Sequence, residues 1–321
     1  MVLTDYTEEY DAEIEKLDGE LFCEIKRYKD VLPESICVAL KNGIFAGVGF
    51  LVATPALAAI LNKEQKKTNL EVEKKDSNTY FLTGEYKAVP GTDYEIEVSA
   101  AILEDMKESL RIFRNEHEEL DVVLRLFCNG TDLAYLEFLM SNGFEASGIM
   151  PVFSKKLKKT TKKSGSKNAD EISLPDDSFR IIDLAEHQDL IPQYMKAYKS
   201  SFGTSLSRTG IDFRLKEKGA GIFCVEKDGK IISAVAIRKS FDDTIFMENV
   251  FVAAKYRKHG FASCLIKYLC RKYSMEGIKK CELTIHGDNQ PAVMLYLNNG
   301  FEITGTSILM HMRAPAGGRK K

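Results

Sequence analysis

Residues 246–263 read FMENVFVAAKYRKHGFAS, and this stretch runs from a predicted strand into a predicted helix. The apolar pattern predicts the strand over 244–252 and an amphipathic helix over 261–276. Gly260 permits a tight backbone turn between them. The first amides of the helix then point outward at the positive end of its dipole. The stretch therefore predicts a turn that binds an anion such as a pyrophosphate.

The remaining residues of this turn suit the same role. Ala262 leaves room for a ligand to approach, and Ser263 offers a hydroxyl group. Three side chains add positive charge or a hydrogen-bond donor at the rim, namely Arg257, Lys258 and His259. An Arg-x-x-Gly-x-Ala string alone is a weak signal, but its position between a strand and a helix strengthens it.

The rest of the second half predicts a mixed sheet. Consecutive strands before the turn indicate an antiparallel meander, and further strands alternate with helices after it. The expected strands are 179–184, 221–226, 230–239, 281–285 and 306–312, and the expected helices are 187–202, 211–218 and 291–298. We therefore expect an α/β fold of the mixed α+β kind, with helices flanking a mostly antiparallel sheet.

The first half repeats this pattern weakly. Asn-Gly and Asp-Gly hairpin signals end at Gly43 and Gly229, and helix-ending Asn-Gly pairs end at Gly143 and Gly300. The spacing is longer in the first half, and the extra residues are expected within 63–89. Two similar units with different loop lengths are therefore predicted.

A lysine-rich segment separates the two units. Residues 154–170 contain seven Lys and no aromatic residue, which favours a solvated linker over a nucleic-acid-binding patch with stacking side chains. The predicted divisions are a first domain 1–153, a linker 154–177, a second domain 178–313 and a disordered tail 314–321.

Charge is divided unequally between the units. The chain has a net charge of −2, but residues 1–153 carry 15 basic and 29 acidic side chains. The remainder carries 30 basic and 18 acidic side chains, so the second unit is the better site for a phosphorylated ligand.

Cysteine use and hydropathy indicate a reduced, cytoplasmic protein. The seven Cys include no CxxC pair, which argues against disulfides and against a metal centre, and no metal is expected. Residues 44–61 lack charge, but they contain Gly and Pro, so a buried strand and a helix explain them at least as well as a membrane span. No secretory signal opens the chain, and neither membrane nor nucleic acid is an expected partner.

Two motifs of the second half resemble the GNAT superfamily of N-acetyltransferases. The string Arg257-x-x-Gly260-x-Ala262 is similar to that family's pyrophosphate loop. Asn289-x-x-Ala-x-x-Leu-Tyr296, with Gly300 following, is similar to its second hallmark. The resemblance covers roughly 178–313 and implies a tandem GNAT-like protein with a degenerate N-terminal copy.

The resemblance implies a binding mode for acetyl-CoA as the co-substrate. The turn, with Phe261 among its residues, would hold the pyrophosphate, and the pantetheine arm would enter between two splayed strands. Backbone groups of Val250 and Val252 would pair with the arm, the former near the thioester oxygen. Asn289 would hydrogen-bond the arm.

Two catalytic residues are expected. Tyr296 would protonate the departing thiolate, and this role is favoured over the alternative of a tyrosine that only packs on the sheet. Because side chains alternate along a strand, Glu248 is expected on the face of Val250 and Val252, as the base or as a group that orients the acceptor. His259 and His286 are weaker candidates.

The first unit departs from these motifs. Asp132 stands where Asn289 does, and Leu139 stands where Tyr296 does. Residues 98–107, taken as the region before its helix, contain neither Gly nor Arg and include two carboxylates that would repel a pyrophosphate. This unit is not expected to bind acetyl-CoA; packing, shaping the acceptor site or binding a cation are its expected roles.

The expected activity is transfer of an acetyl group to a primary amine of a small molecule or peptide, by direct attack in a ternary complex. The acidic first unit favours a cationic acceptor. A non-catalytic CoA-binding or interaction protein is the alternative, and either a monomer or a homodimer is compatible with the sequence.

Overall fold

The computed structural model describes residues 1–28, 36–53, 79–116, 118, 121–158, 174, 176, 178–203, 205–206, 208–240 and 243–314. The strands are β1 Val2–Asp5, β2 Ile36–Lys41, β3 Ile44–Ala53, β4 Thr79–Ala88, β5 Asp121–Asn129, β6 Glu145–Lys156, β7 Arg180–Asp183, β8 Ala220–Lys227, β9 Lys230–Lys239, β10 Thr244–Val252, β11 Lys280–Thr284 and β12 Glu302–Arg313. The helices are α1 Asp11–Leu17, α2 Gly19–Tyr28, α3 Glu95–Glu116, α4 Leu133–Ser141, α5 Ile191–Phe202, α6 Arg208–Lys216, α7 Phe261–Met275 and α8 Gln290–Asn298. The mixed α/β class predicted from the sequence is confirmed.

Both halves of the chain follow the same order of elements. Each half runs through a strand, two helices, a three-stranded meander, a helix, a strand, a helix and a final strand. The hairpin turns occur where the sequence predicts them, with Asn42 and Gly43 at φ 54° and 78° and with Asp228 and Gly229 at φ 49° and 73°. Left-handed φ at both central residues matches the twist of a tight hairpin. The predicted internal repeat is therefore present in the fold.

The chain forms two compact units that exchange their final strands. One unit is Met1–Gly148 with the segment beginning at Ser307, and the other is Ile149–Thr306. Within the first, Ser307–Arg313 of β12 pairs antiparallel with β5. Within the second, Val152–Lys156 of β6 pairs antiparallel with β11.

This exchange differs from the contiguous domains 1–153 and 178–313 that the sequence predicts. The predicted linker 154–177 also begins within a strand, because β6 continues to Lys156. Most of the rest of that linker lies outside the described residues, as does most of the predicted tail. The expected long loop at 63–89 is corrected in part, because Thr79–Ala88 forms β4.

In the second unit, helices cover both faces of the sheet. The strand order is β6-β11-β10-β9-β8-β7, and only β10 and β11 are parallel. On one face α7 packs Leu265, Ile266 and Leu269 against β10, and all three side chains are fully buried. On the other face α5 and α6 pack against β8, β9 and Phe251. The amphipathic pattern of the predicted helices therefore reflects burial on a sheet.

In the first unit, the order is β1-β2-β3-β4-β5-β12, and β4 and β5 form the parallel pair. Helix α3 packs closely on the sheet through Val98, Ile102 and Met106. Gly49 permits this approach, because a Cβ atom there would lie 2.4 Å from Ile102 Cγ2. Among the described residues, no helix combines the length and apolar character that crossing a membrane requires.

Candidate functional site

The turn between β10 and α7 presents a row of backbone amides. Lys258 and Gly260 have φ of 65° and 82°, which turns the chain sharply before the helix. The first α7 hydrogen bond runs from the Cys264 amide to the Gly260 carbonyl oxygen, at 2.9 Å. Within the part of the chain that the structure describes, the amides of residues 258–263 have no hydrogen-bond acceptor. This is the geometry in which a helix start binds an anion.

The side chains at the turn have mixed roles. Arg257 Nε donates to the Val252 carbonyl oxygen at 3.1 Å, and His259 Nδ1 lies 2.8 Å from the Arg257 carbonyl oxygen. Arg257, Lys258 and His259 are all exposed. Arg257 and His259 therefore stabilise the turn through these contacts with its backbone. Both side chains nevertheless remain exposed to solvent.

The first residues of α7 belong to the core. Phe261 is 3% exposed, and its ring centroid lies 4.7 Å from that of Phe179. Ala262 is also buried. Ser263 Oγ accepts a hydrogen bond from Asn299 Nδ2 at 3.0 Å. The side chain of Phe261 therefore anchors the helix, and only its backbone amide is available to a ligand.

The two parallel strands next to the turn separate along their length. Strand β10 pairs with β11 only from Thr244 to Phe246, opposite Lys280 to Glu282. Beyond Phe246, β10 continues to Val252 while paired only with β9. A gap between the strands thus opens toward the amide turn, as the resemblance implied.

A bulge in β10 changes which side chains face the helices. Glu248 pairs with Ala236 and Phe251 with Ala234, so two residues of β10 oppose one residue of β9. Asn249 lies in this bulge with φ 52°, a conformation that asparagine tolerates better than most residues. The bulge interrupts the alternation of side chains along the strand.

The expectation that Glu248 shares a face with Val250 and Val252 is therefore wrong. Both valines pack into the core beneath α7. Glu248 instead contacts Arg214 of α6, on the opposite face of the sheet. The extra residue at Asn249 reverses the expected direction.

Glu248 is held by two arginines. Arg214 Nη2 and Glu248 Oε2 form an ion pair, and Arg238 Nε donates to Glu248 Oε1 at 3.1 Å. Burial alone would raise the pKa of Glu248, but the charges and hydrogen bonds of Arg214 and Arg238 outweigh it and lower that pKa. The carboxylate is therefore ionised at neutral pH, and both its oxygens are hydrogen-bonded. This arrangement suits an orienting group better than a base.

Tyr296 lies on α8 in the core of the second unit. The side chain is 3% exposed, and its ring lies 5.7 Å from that of Phe153 and 5.6 Å from that of Phe301. Burial raises the pKa of Tyr296, and nearby Cys281 adds to the effect. The phenol is therefore protonated at neutral pH, and its hydroxyl has no partner among the described residues. This position is compatible with Tyr296 as a packed core side chain and with Tyr296 as the acid that protonates the thiolate.

Asn289 caps helix α8, a role that is separate from the ligand contact predicted for it. Its side-chain oxygen accepts a hydrogen bond from the Ala292 amide at 3.3 Å, which caps α8. Asp132 caps α4 in the same way, through the Tyr135 amide at 3.0 Å. The two residues occupy equivalent positions, as predicted. Asn and Asp are both favoured at the N-cap of a helix, which explains why each is suited to this position.

The turn in the first unit is already filled by a carboxylate. Residues 98–107 do not precede its helix as expected, because α3 begins at Glu95. The turn therefore lies at 89–94, and it does contain a glycine, Gly91, with φ 71°. Glu95 Oε2 accepts a hydrogen bond from the Gly91 amide at 2.8 Å. The chain's own carboxylate thus takes the place an anionic ligand would need.

Four residues of this region escaped the sequence analysis. Arg214 and Arg238 come from a helix and a strand distant in sequence from Glu248, and no local pattern signals their meeting. In the sequence, Asn249 resembles an ordinary strand residue, and Asn299 resembles the first residue of a helix-ending Asn-Gly pair. Asn299 in fact links the end of α8 to the start of α7.

A family model agrees with this geometry. Residues 187–301 match the acetyltransferase (GNAT) family, and this span includes the turn, the bulge and α8. The resemblance seen in the sequence is therefore confirmed over residues 187–301, which match the model of a GNAT acetyltransferase domain. The match indicates acyl transfer as the general activity. No curated protein matches the sequence.

Solved structures share the fold over nearly the whole chain. A GCN5-related N-acetyltransferase from Sphaerobacter thermophilus is 12% identical with a TM-score of 0.69, covering 98% of this chain and 95% of its own. A tandem GNAT protein from the clavulanic acid biosynthesis pathway, in a structure without AcCoA, is 12% identical with a TM-score of 0.64 and covers 98% of both chains. A putative acetyltransferase from Pyrococcus horikoshii is 11% identical with a TM-score of 0.56, covering 98% of this chain and 90% of its own. These similarities establish a tandem GNAT fold.

Proposed function

We propose that the second unit transfers the acetyl group of acetyl-CoA to a primary amine of a small molecule or peptide. The observation that carries the proposal is the row of free amides at 258–263, which adjoins the gap between β10 and β11. The turn would bind the pyrophosphate, and the gap would receive the pantetheine arm. The position of this turn in the basic half of the chain favours such a ligand.

In the proposed mechanism, the amine attacks the thioester of acetyl-CoA directly while both are bound in a ternary complex. The amine nitrogen bonds to the thioester carbon, and the bond from that carbon to sulfur breaks. Charge developing on the carbonyl oxygen would be stabilised by the Val250 amide, beside the bulge. Tyr296 would donate its phenolic proton to the departing thiolate.

Glu248 has the orienting role in this proposal. Its lowered pKa makes it a weak base at neutral pH, so the acceptor ammonium first loses a proton to water and attacks as the neutral amine. The second proton leaves the nitrogen after attack and passes through water, which also restores the proton that Tyr296 gives to the thiolate. The acidic first unit favours a cationic acceptor, such as a polyamine, an aminoglycoside or a peptide that contains Lys or Arg.

An acetyl-CoA turnover screen tests the proposal. The wild-type protein is incubated with polyamines, aminoglycosides, lysine-containing peptides and amino acids, and release of free thiol is followed. The proposal expects acceptor-dependent thiol release with at least one of these classes. Binding of acetyl-CoA without turnover on any amine would instead favour the non-catalytic CoA-binding alternative.

A further inference from the structure

The first unit carries a polar and aromatic cluster on the sheet face opposite α3. Leu82, Leu124 and Met310 point into the core beneath α3. Their strand neighbours therefore occupy the other face. Five side chains from three adjacent strands form what we name the Arg125 cluster: Phe81 and Thr83 on β4, Arg125 and Phe127 on β5, and His311 on β12.

Arg125 lies at the centre of this cluster, and three of its five N–H donors have no acceptor among the described residues. Its Cζ atom lies 5.0 Å from the Phe81 ring centroid and 5.7 Å from that of Phe127. Nε and Nη2 donate to the same atom, Thr83 Oγ1, at 3.2 Å and 2.9 Å. A guanidinium has five N–H donors in a planar fork. In the region that the structure describes, Nη1 has no acceptor and no carboxylate pairs with Arg125.

His311 is the direct neighbour of Arg125 across the strands. The two residues are paired in the register of β12 and β5, which brings their side chains together on one face. The His311 ring lies 5.5 Å from the Phe81 ring. Its Nε2 atom is buried and has no hydrogen-bond partner within the described chain. Burial lowers the pKa of His311, and the charges of Arg125 and Arg313 lower it further.

The charged side chains near the Arg125 cluster form no ion pair with Arg125 among the described residues. Arg313 is already paired with Asp121 at 2.5 Å. Glu85 lies two residues beyond Thr83 on the same strand face, but no ion pair joins it to Arg125. Three N–H donors of a half-buried guanidinium and a buried imidazole nitrogen thus lie side by side without a partner among the described residues, in a unit whose net charge is strongly negative. Groups of this kind are costly to leave unpaired.

We propose that the Arg125 cluster binds a small oxyanion, either a phosphate or the carboxylate of a small molecule. The free edge of the Arg125 guanidinium would hold two oxygens of the ligand, because this fork matches both groups. His311 Nε2 would contribute a further hydrogen bond, and the two phenylalanine rings would fix the plane of the guanidinium. The proposal concerns the first unit and is independent of acetyl transfer by the second.

Titration with inorganic phosphate and, separately, with acetate tests the proposal. The side-chain NMR signals of Arg125 Nε–H and the His311 ring are followed in the full chain. A Gly260→Asp background removes the other anion-binding turn from consideration. We expect both signals to shift on saturation with at least one of the two anions, and the anion that binds more tightly identifies the ligand class.

Two variants separate binding from folding. Arg125→Met should abolish the shift of the His311 signal, and Arg125→Lys, which keeps the charge but not the fork, should weaken binding about tenfold. Circular dichroism checks that both are folded. If neither anion shifts the two signals in the parent protein, or if Arg125→Lys binds as tightly as the parent, the proposal is overturned.

Discussion

Replacing Glu248 by Gln should destabilise the second unit because it removes a carboxylate that pairs with both Arg214 and Arg238. Each charge-assisted hydrogen bond contributes about 1.5–3 kcal/mol when well buried. The carboxylate side chain is 31% exposed, and the two arginines are 22% and 19% exposed, so solvent reduces this value. We expect a loss of about 2 kcal/mol in the free energy of unfolding at pH 7. That corresponds to roughly 4–8 °C in Tm for a unit of this size.

The pH dependence provides the sharper test of the same change. The pKa of Glu248 is lowered in the folded protein, so the unfolded chain binds this proton more readily in acid. Its stabilisation is therefore complete above the unfolded pKa of about 4.3 and is lost as pH falls through the folded pKa. Denaturant unfolding of wild type and variant should differ at pH 6–8 and converge in acid.

A matched control is available on the neighbouring strand. Glu282 has one ion pair among the described residues, with Lys280 at 3.3 Å, and Glu282→Gln should cost no more than about 0.5 kcal/mol. If Glu248→Gln costs no more than this control, or if its cost is the same at acid and neutral pH, the account of Glu248 is refuted.

Two further substitutions test catalysis and packing. Tyr296→Phe keeps the ring contacts and should leave Tm nearly unchanged, but it should lower kcat about a hundredfold with an acceptor found in the screen; an unchanged kcat would leave Tyr296 as a packing residue only. Gly49→Ala should destabilise the first unit by about 1–3 kcal/mol, because the new Cβ would lie 2.4 Å from Ile102 Cγ2. Gly305→Ala is its control, since the nearest atom there is 3.9 Å away, and equal Tm values for both variants would contradict the packing described.

Local patterns in the sequence predicted most elements of the fold. Strands β8 and β9 occur where alternation and turn residues indicate them, because Asp228 and Gly229 determine the hairpin between them. The start of α7 is also as predicted, because Gly260 and the apolar face of the helix both signal it. These features depend on residues that are close together in the sequence.

Other features depend on long-range pairing, which the sequence does not show. The exchange of β6 and β12 between the units leaves the local pattern of each strand unchanged, so it could not be predicted. The start of α3 is another example, because the sequence places residues 98–107 before the helix, whereas the helix begins at Glu95. The bulge at Asn249 adds one residue and reverses the direction of Glu248 without altering the composition of the strand.

The amide turn at 258–263 is the feature on which the account depends, and calorimetric titration with acetyl-CoA tests it most directly. Gly260→Asp places a carboxylate beside these amides, as Glu95 does in the first unit. Gly229→Asp is its matched control, because both glycines have left-handed φ and open space around a new Cβ. We predict one site per chain in the wild type, loss of binding in Gly260→Asp and unchanged binding in Gly229→Asp. No heat of binding in the wild type, or equal binding by both variants, would contradict the account.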